Sequence, residues 1–83
     1  MDVDAIGERL RGMRGDRSRE DVVRSIEQNQ GYRMIGQYLY LLEHGKVANP
    51  GIKAIDALAR EYETTSEYIL YGHTTSRRAS GKR

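Results

Sequence analysis

Met34-Ile35-Gly36-Gln37-Tyr38-Leu39-Tyr40-Leu41-Leu42-Glu43-His44-Gly45-Lys46-Val47-Ala48-Asn49-Pro50 is the most informative stretch of this chain. Met34, Ile35, Tyr38, Leu39 and Leu42 recur at intervals of one, three and four residues, which puts them on one face of a helix over residues 34–44. Gly45 stands where a helix stops, with His44 and Lys46 beside it. Asn49-Pro50-Gly51 is the strongest break in the chain.

The same period extends in both directions. Val3, Ile6, Leu10 and Met13 mark an amphipathic first helix, with Gly12 and Gly15 weakening its end. Arg9, Arg11 and Arg14 lie off its apolar face, and most of them read as solvated surface. Ser18-Arg19-Glu20-Asp21 opens a second helix: Ser18 can accept from an orphan backbone N–H, and the acids suit the positive helix end. Val22, Val23 and Ile26 supply its stripe, and Asn29-Gln30-Gly31 reads as a turn. Downstream, Ile52, Ile55, Leu58, Ala59 and Tyr62 line a fourth helix. Thr64 and Glu67 have capping-box spacing before a short fifth helix with Tyr68, Ile69 and Tyr71, closed by Gly72. No strand pair or repeat is evident. The expected fold is all-α, a compact bundle of about five short helices over residues 1–72, followed by a disordered basic tail over 73–83.

At 83 residues the chain has room for one domain and no deep substrate cleft. It has no cysteine, so no disulfide and no thiolate zinc site is expected. No apolar run approaches the roughly 18 residues of a membrane span, and the acidic start Met1-Asp2-Val3-Asp4 does not read as a signal peptide. The net charge is +2, but Arg77, Arg78, Lys82 and Arg83 contribute four positive charges to the tail. Ten Lys and Arg against twelve Asp and Glu leave residues 1–72 at −2. An affinity for nucleic acid must therefore come from a local patch and the tail, not from overall charge. Two histidines, a pair of serines without a partnered base and no phosphate loop leave an enzyme poorly supported, and no cofactor or small-molecule ligand is expected.

Three quoted segments, in order, carry a resemblance: Ile6-Gly7-Glu8-Arg9-Leu10-Arg11, Ser18-Arg19-Glu20-Asp21-Val22, and Leu42-Glu43-His44-Gly45-Lys46 with Asn49-Pro50. Together with Ile55-Asp56-Ala57-Leu58-Ala59 and Tyr68-Ile69-Leu70 they resemble the XRE family of lambda-repressor/Cro-like helix-turn-helix domains over roughly residues 5–72. Within that family the long turn and the Tyr38-Leu39 pair look most like EspR-like regulators. The resemblance implies a positioning helix over 19–28 and a recognition helix over 34–44 that enters the major groove. Val22, Ile26, Leu39 and Leu42 would join the two, with Leu10, Ile55 and Leu58 beneath. Gly36, Gln37, Tyr40, Leu41 and His44 would then face DNA, Gln37 suited to adenine and Leu41 to a thymine methyl. Arg33, Lys46 and Lys53 surround that face, and Arg19 stands where family members touch phosphate.

Two features depart from the family. The interval from Ile26 to Leu39 is thirteen residues, against about seven in a tight motif. Ile35 stands where a Ser or Thr cap is usual. The functional expectation is a sequence-specific, repressor-type DNA-binding regulator, bacterial or phage, cytoplasmic and nucleoid-associated. It would act as a homodimer on two half-sites about 34 Å apart, joined through Tyr68, Leu70 and Tyr71. The alternative is a protein-interaction module on the same scaffold, such as an antirepressor, an antitoxin or a regulator's partner.

Overall fold

A computed structural model describes residues 2–73. The basic stretch expected to be disordered lies, from residue 74 on, outside the described residues. Five helices follow one another: α1 (Val3–Arg14), α2 (Arg19–Gln30), α3 (Gly36–Glu43), α4 (Ile52–Glu61) and α5 (Ser66–Tyr71). The chain is an all-helical bundle, as the period of its apolar residues implies.

The core is a single cluster drawn from every helix: Ile6 and Leu10 from α1, Val22 and Ile26 from α2, Leu39 and Leu42 from α3, Ile55 and Leu58 from α4, and Ile69 from α5. All seven residues expected to join the helices are buried. Full burial of one such side chain contributes about 1.5–3 kcal/mol, so this cluster is the main reason that helices this short persist.

The helix ends follow local chemistry. Asp2 accepts from the Ala5 N–H at 3.1 Å and Ser18 from the Asp21 N–H at 3.0 Å, starting α1 and α2. α3 ends in a Schellman motif. The Gly45 N–H donates to the Leu42 carbonyl at 3.3 Å and the Lys46 N–H to the Leu41 carbonyl at 2.9 Å. Gly45 sits at φ 66°, the left-handed region where a side chain is strained.

Several boundaries differ from the expectation. The third helix starts at Gly36, two residues late, and ends at Glu43. Ile35 caps it in extended conformation (φ −93°, ψ 151°) without a side-chain bond, as a β-branched residue favours. Met34 still reaches the core, but from the loop, while Ile35 is 62% exposed. Asn29 and Gln30 are not a turn; they extend α2 to Gly31, whose N–H donates to the Glu27 carbonyl. The long interval between α2 and α3 is thus part helix and part a five-residue linker over 31–35. Ile52 is 64% exposed, because it sits at the first position of α4, ahead of the buried stripe. Thr65, not Thr64, caps α5, accepting from the Tyr68 N–H at 3.0 Å.

Candidate nucleic-acid interface

α3 has two faces because its residues have two chemistries. Leu39 and Leu42 point into the core, and Tyr38 leans on the start of α4, its hydroxyl accepting from the Gly51 N–H at 3.2 Å. That rotation leaves Gln37, Tyr40 and His44 exposed, Tyr40 to 40%. Leu41 and Gly36 are only half-buried, so the apolar contribution of Leu41 to the outer face is smaller than the sequence implies.

Tyr40 is the centre of the exposed row. The His44 ring lies 4.3 Å from it, centroid to centroid, one helical turn on. The Arg19 guanidinium lies over the Tyr40 ring, 5.0 Å from its centroid. Arg19 opens α2, so the start of the second helix meets the middle of the third at this point. The Glu20 carboxylate lies beside Gly36; a methyl group added there would sit 3.5 Å from it. One acid therefore borders the row at the start of α3.

The other expected residues fall around the row. Arg33 lies in the linker, highly exposed, 3.6 Å from Glu27. Lys46 and Lys53 are exposed and take part in no ion pair among the described residues. Lys53 lines a separate shallow cleft of about 220 Å³ with Gln30, Tyr32, Asp56 and Arg60. At the far end, Tyr68 and Leu70 are half-buried, with Leu70 packed on the core, and Tyr71 is exposed.

Behind the row is a group that the sequence reading passed over. Glu43 is fully buried. Arg14 grips its carboxylate with two bonds, Nε to Oε2 at 2.7 Å and Nη2 to Oε1 at 3.0 Å, and Arg19 Nη1 adds a third to Oε1 at 3.2 Å. Arg11 donates to the Glu43 backbone carbonyl. Arg9 donates to the Ile69 carbonyl at 2.9 Å. The arginines of α1, most of them expected as solvated surface, thus tie it to α3 and α5, although Arg11 itself is exposed and Arg9 and Arg14 are half-buried. The hydrogen bond from Arg14 to Glu43, opposed by burial, raises the Arg14 pKa and holds the guanidinium charged. The Tyr62 hydroxyl is buried without a hydrogen-bond partner. Burial first, and the Glu43 charge second, push it up to about 12. A signal for Glu43 exists in the sequence: it follows Leu39 by four residues, which is the core face.

Among the described residues no helix is long and apolar enough to cross a membrane, and no three acidic or histidine side chains converge as a metal site would require. No family model matches the chain, and no curated protein or solved structure matches it.

Proposed function

We propose that this chain is a sequence-specific DNA-binding regulator of the XRE helix-turn-helix type, repressor-like, with α3 reading the major groove. One observation carries the reading. Gln37 and Tyr40 stand outward on α3 while Leu39 and Leu42 hold it to the core, and Arg19 at the head of α2 meets Tyr40. A helix presenting an amide and a phenol suits base edges, and cations beside it suit phosphates. Lys46, Arg33 and Arg19 supply those cations. A homodimer on two half-sites, joined through the α5 end with Tyr71 exposed, completes the proposal. Selection from a random duplex pool, followed by anisotropy titration of selected and scrambled duplexes at two salt concentrations, tests it. Tight, salt-dependent binding that favours the selected duplex is expected; absent or salt-independent binding ends the reading.

A second reading has its own support. Among the described residues Ile35 and Ile52 are the most exposed large hydrophobic side chains, Ile35 lining a shallow groove with Tyr38 and Ile52 following Gly51, whose N–H meets the Tyr38 hydroxyl. Such surface suits a protein partner, and residues 1–72 are net negative. Capture of one defined protein with no enrichment of DNA favours this module over a regulator.

A further inference from the structure

We propose that Arg19 and Glu43 are positioning residues that preset Tyr40 for base reading, so that Arg19 governs specificity and not only phosphate affinity. This rests on the DNA-binding reading above. The Glu43 carboxylate does not need Arg19 for neutralisation, because Arg14 already bonds both of its oxygens. The third bond, from Arg19 Nη1 to Oε1, has another consequence. It anchors the guanidinium on a fully buried acceptor while its Cζ lies over the Tyr40 ring. A planar guanidinium donates from a rigid fork while it covers a ring; an ammonium is a point charge on a flexible stem and has no plane to hold the two contacts in one geometry. Glu43 and Tyr40 are three residues apart on α3, on adjoining sides of one turn, so the anchor and the ring move as one body. Arg19 comes from the other helix and fixes the ring against it. His44 closes on the same ring. The ring is ordered before any duplex arrives, which removes part of the ordering cost of binding.

Position 19 can be varied without stranding the buried carboxylate, since Arg14 remains. Arg19→Lys keeps the charge and removes the planar face. In titrations against the selected and scrambled duplexes, R19K is expected to weaken binding to the selected duplex more than to the scrambled one. Its selected-to-scrambled ratio should fall about tenfold, the scale of one good base contact. Tyr40→Ala should lose a similar ratio, and the double variant should lose little more than either, because both remove one coupled unit. In the free protein, the Tyr40 ring resonances should shift in R19K while unfolding remains cooperative.

An unchanged ratio in R19K, losses that multiply in the double variant, or unmoved Tyr40 resonances would overturn the proposal while leaving DNA binding intact. A wild-type chain that binds no duplex would overturn the functional reading itself, and this inference with it.

Discussion

Glu43 is where a single side chain matters most. A buried charge is tolerable only with its partners in place. Arg14→Leu should therefore destabilise the fold by about 3–5 kcal/mol. Arg24→Ala, which breaks only an exposed pair with Asp21, should cost less than about 1 kcal/mol. Urea unfolding of both variants measures the contrast. Tyr62 offers the opposite case. Its hydroxyl is buried and unpaired, so Tyr62→Phe should leave stability equal or raise it. Its folded pKa of about 12 exceeds the ordinary value of 10.0. The neutral form is thus favoured by folding, a contribution complete below pH 10 and lost as pH rises towards 12. The Phe variant should lose less stability than wild type between pH 9 and pH 11, again by urea unfolding.

At the scale of elements, α1 must approach the end of α3 closely, and Gly7 allows it. A methyl group on Gly7 would collide with the backbone carbonyl of Glu43. Gly7→Ala should cost about 1–3 kcal/mol or more, since backbone cannot give way as a side-chain tip does; a lowered Tm in thermal unfolding is the readout. Much of this level is legible in the sequence. Ser18 and Gly45 mark their helix ends by chemistry that acts within a few residues, and the stripes of α1, α2 and α4 reveal the core. What the sequence hides is set by distance. Arg14 and Glu43 are 29 residues apart, and nothing local says they meet. The start of α3 is hidden for a different reason. Met34 and Ile35 match the helical period, yet Met34 reaches the core from a loop and Ile35 is left outside. Position 35 lacks the polar cap that would have marked the boundary. Thr64 and Thr65 are both competent caps, and spacing alone favours the wrong one.

For the whole molecule, charge decides how strongly the proposed DNA binding depends on salt. Arg14, Arg17, Arg19, Arg24 and Arg33 all have acidic partners, which leaves few uncommitted cations near α3. The folded part should therefore contact only two or three phosphates per unit. A slope of log affinity against log salt of about −2 to −3 is expected for residues 1–73, before any contribution of the basic tail. Lys46→Ala should flatten it by about one.

If the outer face of α3 meets the bases, amide chemical-shift mapping with the selected duplex will register the contact there. The side-chain amide of Gln37 and the backbone amides of Gly36 to His44 should move most, with those at the head of α2 next. Shifts confined to α4 and α5, with the Gln37 side chain unmoved, would rule out α3 as the reading helix.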